Sequence, residues 1–147
     1  MSPTSTPWRS VDLPTNTDAR GSITICESGQ QVDFVIKRAR WVFGAPPGVT
    51  RGGHGHQRTA QLFVAVAGSL TIAVDDGTAR ERVSLTTPSR GLYIPPLVWI
   101  ETADFSAGTV LLMLASEPHD PVDYIRDYGA FADAAARGKA SGRSAIT

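Results

Sequence analysis

The sequence predicts an all-β fold of sandwich or barrel type, followed by one short helix near the C-terminus. Short alternating or apolar segments recur along the chain, and turn-forming Gly, Pro and Asp residues separate them, which is typical of small β-sandwiches and barrels. A length of 147 residues corresponds to a single domain. We expect that domain to span residues 8–136, between a flexible N-terminus at 1–7 and a flexible tail at 137–147.

Two long strands are predicted in the N-terminal third of the chain. Ser22–Glu27 follows an Arg-Gly turn, and Val32–Phe43 ends at a loop, 44–48, that contains two prolines. Alternation in the second strand places one set of side chains on one face: Phe34, Ile36, Arg38, Arg40 and Val42. The opposite face carries Lys37, Ala39, Trp41 and Phe43.

Six shorter strands and a helix complete the predicted fold. The strands are Gln61–Ala67, Leu70–Val74, Arg80–Leu85, Gly91–Ile94, Val98–Thr102 and Val110–Ala115. The Asp76-Gly77 pair between the second and third of these is typical of a hairpin turn. Aromatic and apolar residues at helical spacing predict a helix over Asp123–Ala135.

Charge and composition exclude several classes of protein. Lys+Arg and Asp+Glu both number 14, so the formal net charge is zero, unlike that of a general nucleic-acid binder. No apolar run reaches the roughly 18 residues of a transmembrane helix, and the N-terminal residues lack the features of a signal peptide. Cys26 is the only cysteine, so no internal disulfide can form. We expect a cytoplasmic protein that binds neither nucleic acid nor membrane.

The chemically informative segment is Arg51-Gly-Gly-His54-Gly-His56. Residues i and i+2 of a strand share a face, so the two imidazoles are expected side by side. One interpretation is a pair of exposed or structurally hydrogen-bonded histidines. The flanking glycines and the apolar strand that follows favour the other interpretation, a functional pocket.

A His-x-His pair first suggests a metal site, because neutral imidazole is the commonest metal ligand. The spacing of His54, His56 and Gln61 resembles the first motif of the cupin superfamily. Metal-binding cupins carry Glu where this chain has Gln61, and their second motif supplies a histidine where it has Ile100. His119, the remaining histidine, lies in a proline-rich loop. Two imidazoles and an amide are a weak ligand set, so we expect no metal and no cofactor.

Without a metal, two neutral imidazoles can carry out acid–base chemistry near pH 7. The proton that is removed must be acidic, for example one beside a carbonyl, and a cation or hydrogen-bond donor must face the oxygen on which charge develops. The candidates for that role, and for contacts to a phosphorylated substrate, are Arg38, Arg40, Arg51 and Gln61. Trp99 is a candidate for stacking on a sugar or base.

A longer set of segments, in order along the chain, is similar to one cupin family. The segments are Arg20-Gly21-Ser22, Ile36-Lys37-Arg38, Arg51-Gly52-x-His54-x-His56, Gln61, Gly68-Ser69, Asp75-Asp76-Gly77, Gly91-Leu92-Tyr93, Pro96-x-Val98-Trp99-x-Glu101, Phe105-Ser106 and Asp123-Tyr124-Ile125-Arg126-x-Tyr128. From about Val11 to about Phe131 the chain resembles the dTDP-4-keto-6-deoxyglucose 3,4-ketoisomerases. The resemblance implies a metal-free, homodimeric cupin-type jelly-roll β-barrel that prepares a dTDP-linked keto-sugar for deoxy-amino-sugar biosynthesis.

The resemblance also implies roles for individual residues. His54 is the general base that carries a proton from C3 to C4 through an enediolate, and His56 is the second histidine of the pocket. Arg51 contacts the sugar or pyrophosphate, and Gln61 orients a sugar hydroxyl. The remaining candidates for substrate binding are Arg38, Trp99 and Glu101.

Two positions depart from the family pattern. Relatives commonly carry a tyrosine, used as a proton shuttle, where this chain has Arg40, and some carry a histidine where it has Ile100. Arginine stays protonated at neutral pH. Arg40 is therefore expected to stabilise the enediolate while water or His56 moves the proton.

Three alternative functions stay open at this point. They are a 3,5-epimerase of keto-sugars, a metal-dependent cupin oxygenase or isomerase, which Gln61 and Ile100 disfavour, and a non-catalytic cupin that binds a nucleotide-sugar. A homodimer with exchanged N-terminal strands is expected in addition, because Ser22–Glu27 and Val32–Phe43 would otherwise leave exposed strand edges.

Overall fold

The computed structural model describes residues 5–146 and consists mainly of antiparallel strands. The strands are β1 (Arg9–Asp12), β2 (Thr15–Asp18), β3 (Gly21–Thr24), β4 (Arg38–Phe43), β5 (Arg51–His56), β6 (Gln61–Ala67), β7 (Leu70–Asp75), β8 (Arg80–Leu85), β9 (Arg90–Ile94), β10 (Trp99–Ala103), β11 (Val110–Ala115) and β12 (Tyr124–Ile125). A 3-10 turn covers Pro121–Asp123, and helix α1 covers Tyr128–Ile146. The predicted all-β fold with a C-terminal helix is confirmed.

The strands form two five-stranded sheets that face each other. The first sheet has the order β1-β9-β6-β11-β4, the second has the order β12-β5-β10-β7-β8, and β2 and β3 form a separate hairpin. The main core lies between the sheets and includes Phe63, Ile72, Leu92, Ile94 and Leu111, each 3% exposed or less. Burial of each such side chain contributes roughly 1.5–3 kcal/mol to stability. The two sheets thus form a jelly-roll sandwich with one interior.

The apolar strands were predicted well, and the short polar strands were not. Three strands, β6, β8 and β11, have the bounds expected from their patterns. Strands β1 and β2 were missed because four residues with mostly exposed side chains give no recognisable alternation. The predicted strand Ser22–Glu27 is correct only as Gly21–Thr24, which pairs with β2.

The predicted long strand Val32–Phe43 is wrong in its first half, since regular pairing begins only at Arg38. Side chains accept hydrogen bonds from backbone N–H groups in and before this first half. Gln31 accepts from the Glu27 N–H at 2.8 Å, and Ser28 accepts from the Ile36 N–H at 3.0 Å. Such local bonds compete with a strand ladder. From Arg38 onward the predicted alternation is confirmed, with alternate side chains half-buried and exposed.

The predicted helix over Asp123–Ala135 is wrong at both ends. It begins at Tyr128, because Tyr124–Ile125 pairs with β5 as a short strand. The Asp127 carboxylate accepts from the Ala130 N–H at 2.8 Å and caps the first turn. The helix passes Ala135 and continues to Ile146.

The last turns of α1 lie in the segment 137–147, which was predicted to be a flexible tail. Lys139 Nζ donates to Thr78 Oγ1 at 2.8 Å and attaches this part of the helix to the β7–β8 turn. Residue 147 lies outside the described residues, as do residues 1–4 of the predicted flexible N-terminus. Residues 5–146 contain no helical segment with the length and hydrophobicity of a membrane span.

Candidate active site

The two histidines of the His-x-His pair lie side by side on β5, on the face that points into the sandwich. Their ring centroids are 5.2 Å apart with an interplanar angle of 85°. His56 is 1% exposed, whereas His54 is half-buried nearer the end of the interior. The prediction that the two imidazoles share a face is therefore confirmed.

Glycines allow β5 to lie close to its neighbours. Gly52 has φ +93°, and a Cβ there would lie 2.7 Å from the Ile100 carbonyl oxygen, where the β5–β10 pairing contains an irregularity. Gly55, between the histidines, lies against Phe131 of α1, and a Cβ would approach that ring to 2.9 Å. Gly52 and Gly55 thus let β5 approach β10 and α1 closely.

A buried aspartate fixes the orientation of His56. Asp123 is 2% exposed, and its Oδ2 lies 2.9 Å from His56 Nδ1. The carboxylate also accepts from the Thr59 hydroxyl and, at 2.6 Å, from the Arg58 N–H. Because an ionised carboxylate only accepts, Nδ1 of His56 carries the proton and Nε2 has the free lone pair.

The pKa values of this pair are set by burial and by its hydrogen bonds. Burial lowers the pKa of His56, although the bond to Asp123 opposes that shift. Burial acts to raise the pKa of Asp123, but hydrogen bonds from Thr59, His56 and the Arg58 N–H hold it below its ordinary value. The expected pair is thus a neutral imidazole and an ionised carboxylate.

His54 has the more strongly shifted pKa of the two histidines. Burial, together with His56 and the guanidiniums of Arg40 and Arg126, lowers it to about 4. At pH 7 the imidazole is therefore neutral and has a lone pair available to accept a proton. A protonated His54 is favourable only when negative charge lies beside it.

Tyr124 lies against both histidines. Its ring centroid is 5.0 Å from that of His54 and 4.5 Å from that of His56, because Tyr124 pairs with His56 across β12 and β5. The Arg126 guanidinium lies over the same ring at 4.7 Å. The sequence placed Tyr124 only in a predicted helix and among the family segments, so its place beside the histidines was missed.

The facing sheet contributes Arg38, Arg40 and Gln61. Arg40 Nη2 donates to Gln61 Oε1 at 3.3 Å, and Arg38 Nη1 lies 3.1 Å from Nδ1 of His119. Burial lowers the pKa of Arg40, and the Tyr124 hydroxyl, which its guanidinium faces, opposes that shift. Arg51 is close enough to act on the charge of Arg40 as well.

Three buried polar atoms have no hydrogen-bond partner among the described residues. They are Nε of Arg38, Nε of Arg40 and Nε2 of His56. Buried polar atoms are ordinarily paired, so a group without a protein partner calls for an explanation. Two donors and one acceptor without protein partners suit a polar ligand that carries negative charge.

Trp99 and Glu101 were predicted to bind substrate, and the structure does not bring them to the histidines. Ile100 between them points into the core, so both lie on the outer face of β10. Trp99 Nε1 donates to Glu101 Oε2 at 3.1 Å, and the two line a groove of about 400 Å³ on that face. Their role in binding stays a prediction.

The side chains near the histidines do not form a good metal ligand set. Ile100, which has no donor atom, is paired with His54 across β10 and β5, and Gln61 is bonded to Arg40. In the part of the chain that the structure describes, no group of three or more His, Cys, Asp or Glu side chains is placed to hold a metal ion.

Comparison with known proteins identifies the family. Residues 7–136 match the family described as "FdtA: WxcM-like, C-terminal". The TDP-4-oxo-6-deoxy-alpha-D-glucose-3,4-oxoisomerase of Aneurinibacillus thermoaerophilus is 39% identical over 114 residues, which cover 78% of this chain and 82% of that protein. The chain belongs to the sugar 3,4-ketoisomerase family.

Solved structures of ketoisomerases have the same fold. QdtA from Thermoanaerobacterium thermosaccharolyticum, as a histidine-to-asparagine mutant in complex with TDP-4-keto-6-deoxyglucose, is 34% identical, with a TM-score of 0.88 over 91% of this chain and 97% of that one. The TDP-quinovose 3,4-ketoisomerase WlaRB from Campylobacter jejuni is 36% identical, with a TM-score of 0.83 over 86% and 97% of the two chains. The predicted cupin-type jelly roll is thereby confirmed.

The sequence predicted the histidine pair and the polar residues of the facing sheet as candidates, but it did not single out Asp123. A single carboxylate that lies 67 positions from His56 has no spacing that marks it as a partner. The family segment Asp123-Tyr124-Ile125-Arg126 was the available signal, and three of its four residues contact or act on the histidine pair.

Proposed function

We propose that this ketoisomerase converts dTDP-4-keto-6-deoxy-D-glucose to a dTDP-3-keto-6-deoxy-D-hexose. The observation that carries the proposal is the neutral histidine pair, placed among four guanidiniums, Arg38, Arg40, Arg51 and Arg126, at one end of the interior. Such a pocket suits a substrate that carries a pyrophosphate and develops charge on an oxygen. The A. thermoaerophilus relative is named for the same sugar, and mutant QdtA binds it.

The reaction moves one proton between adjacent carbons. The C3 proton is acidic because C4 is a ketone, and His54 removes it to give an enediolate across C3 and C4. The same imidazole then delivers the proton to C4, which leaves the ketone at C3. One base acting on one face of the sugar serves both steps, and the 3-keto product is suited to amination at C3.

The low pKa of His54 suits this cycle electrostatically. The free pocket disfavours a second proton on His54 because Arg40 and Arg126 lie nearby. A bound pyrophosphate neutralises part of that positive charge, and the enediolate places an anion beside the imidazolium. Protonated His54 is thus stabilised when the intermediate forms, which is the condition for effective general-base catalysis.

The other side chains position the substrate and stabilise charge. Arg40, bonded to Gln61, faces the interior and is suited to the enediolate oxygen. His56, oriented by Asp123, offers Nε2 as an acceptor for a sugar hydroxyl. Arg38 and Arg51 are suited to the pyrophosphate, since one guanidinium can donate two parallel hydrogen bonds to phosphate oxygens.

The His54→Asn variant tests the proposed base. We expect dTDP to bind within about threefold of the wild-type affinity, because asparagine removes the base without adding charge, while turnover falls by at least 10²-fold. Calorimetry with dTDP and an NMR assay of the keto-sugar measure the two quantities. Turnover at more than a third of the wild-type rate would rule out His54 as the base.

We also infer that the enzyme acts as a homodimer in the cytoplasm. Trp41 and Phe43 on the outer face of edge strand β4 are 58% and 70% exposed. The β2–β3 hairpin joins neither large sheet, and an isolated two-stranded hairpin is only marginally stable. A second copy of the chain would bury the exposed apolar face of β4 and would provide a strand partner for the β2–β3 hairpin.

A further inference from the structure

The isomerisation moves two protons, and the histidine base accounts for only one of them. While the carbon-bound proton passes from C3 to C4, the hydroxyl proton must pass from O3 to O4. We propose that Tyr124 carries this second proton, so that its phenol is a catalytic residue. The inference rests on the proposed function, and it assigns a role that the histidine pair leaves unfilled.

The position of Tyr124 fits a group that reaches both sugar oxygens. Its ring lies 5.0 Å from the ring of His54 and 4.5 Å from that of His56, on the same inner face. The proposal places the C3 and C4 oxygens of a sugar whose C3–H meets His54 beside the Tyr124 phenol. Tyr124 comes from β12 and not from β5, so it approaches the substrate beside the base.

The arginines, Gln61 and His56 are poor carriers of a hydroxyl proton. Guanidiniums stay protonated at neutral pH and cannot accept, which excludes the arginines. The Gln61 amide donates and accepts hydrogen bonds but exchanges no proton at this pH. His56 could accept at Nε2, yet a second proton would make it a cation among guanidiniums, and burial already disfavours that form.

A phenol avoids this charge problem because it can donate first and accept later. Between the two events it is an anion, which Arg40 at its hydroxyl and Arg126 over its ring stabilise. Those cations also favour the negative charge that develops on O4 before it takes the phenolic proton. In a pocket with several positive charges, a carrier that becomes negative is preferred over one that becomes positive.

The proposed steps balance in protons and electrons. His54 takes the C3 proton, the C3–H pair forms the C3=C4 bond, and the C4=O π pair moves to O4, which takes the phenolic proton. The phenolate then takes the O3 proton, and the O3 pair forms the C3=O bond. The pair of the C3=C4 bond accepts the proton from His54 at C4, and both side chains return to their starting states.

The Tyr124→Phe variant tests the role, with Tyr128→Phe as its matched control. Tyr128 is a second phenol nearby in the chain, but its hydroxyl donates to Asp75 at 2.8 Å, away from the histidines. For Tyr124→Phe we expect kcat to fall by about 10²-fold or more while dTDP affinity stays within about threefold. For Tyr128→Phe we expect kcat within about threefold of wild type.

A second variant keeps the test decisive if Tyr124→Phe binds dTDP poorly. Incorporation of 3-fluorotyrosine at position 124 keeps the shape of the side chain and makes its phenol more acidic. The basic limb of the kcat pH profile then moves to lower pH if the phenol takes part in proton transfer.

The outcomes separate this inference from the proposed function. Wild-type turnover together with an unimpaired Tyr124→Phe, or with an unmoved basic limb in the fluorotyrosine enzyme, overturns the role of Tyr124 alone. Absence of wild-type turnover overturns the proposed function and the role together. A large loss of kcat with intact dTDP binding, or a shifted limb, supports the role.

Discussion

At the scale of single residues, Asp123 determines what His56 can do. Its carboxylate is buried, accepts three hydrogen bonds and leaves Nε2 of His56 as the free nitrogen. A carboxylate in this position fixes one imidazole tautomer without transferring a proton itself. Asp123 is thus a positioning residue that acts through His56.

Replacement of Asp123 by Asn is expected to lower kcat by on the order of 10²-fold. The amide keeps the shape but can present N–H to Nδ1, which forces the proton of His56 onto Nε2 and removes the free acceptor. Steady-state kinetics measure the loss, and dTDP affinity, which His56 Nε2 affects little, should change by less than kcat. Asp120→Asn is the control, because Asp120 is bonded to Arg58 and the Val122 N–H and not to a histidine. Equal kcat for both variants would contradict the assignment.

Acid is expected to destabilise the protein through the same histidines. The folded state holds the pKa of His54 at about 4, whereas an unfolded chain titrates near 6.5. Between those values the unfolded state binds more protons, so the free energy of unfolding falls as the pH drops from 6.5 towards 4. His56 acts in the same direction because its pKa is also lowered. Urea unfolding at several pH values measures this fall, and we expect it to be smaller in His54→Asn. A free energy of unfolding that increases as the pH drops from 6.5 to 4 would be inconsistent with a buried neutral pair.

At the scale of elements, the sequence correctly predicted strands with a marked apolar pattern. It misplaced strands whose position depends on pairing with a distant segment. β6 and β11 have apolar patterns that define their bounds. β12 was assigned to a helix because Tyr124 and Ile125 also fit a helical stripe, and only pairing with β5 decides against it. Pairing between segments far apart in the chain leaves no local sequence signal. For this reason neither the β12–β5 pairing nor the Asp123–His56 contact could be predicted from the sequence.

Because β5 and β10 lie close together, we expect alanine substitutions at the adjacent Gly52 and Gly53 to differ in their effect on stability. Both have positive φ, but a Cβ on Gly52 would lie 2.7 Å from the Ile100 carbonyl oxygen, whereas a Cβ on Gly53 meets nothing within 4 Å. Gly52→Ala is therefore expected to cost roughly 1–3 kcal/mol more stability than Gly53→Ala. Urea unfolding of the two variants measures the difference, and equal destabilisation would mean that the strands do not approach so closely.

At the scale of the whole molecule, the outer face of β4 and the β2–β3 hairpin both point to a second copy of the chain. Replacement of Trp41 and Phe43 together by Ser removes two large exposed apolar side chains without touching the core. We expect the wild type to be a dimer and the double variant to shift towards monomer, as measured by light scattering after gel filtration. A wild-type monomer at micromolar concentration would refute the dimer proposal.

The family, the fold and the histidine pocket together make one central claim, that the enzyme moves a ketone from C4 to C3. An NMR time course of dTDP-4-keto-6-deoxyglucose with the purified protein in D₂O tests it most directly. We predict loss of the starting ketone, appearance of a 3-keto sugar, and a signal at C4 that reports how much of the transferred proton exchanged with solvent. Epimerisation or exchange at C5 without migration of the ketone, or no change of a bound nucleotide-sugar, would contradict the claim.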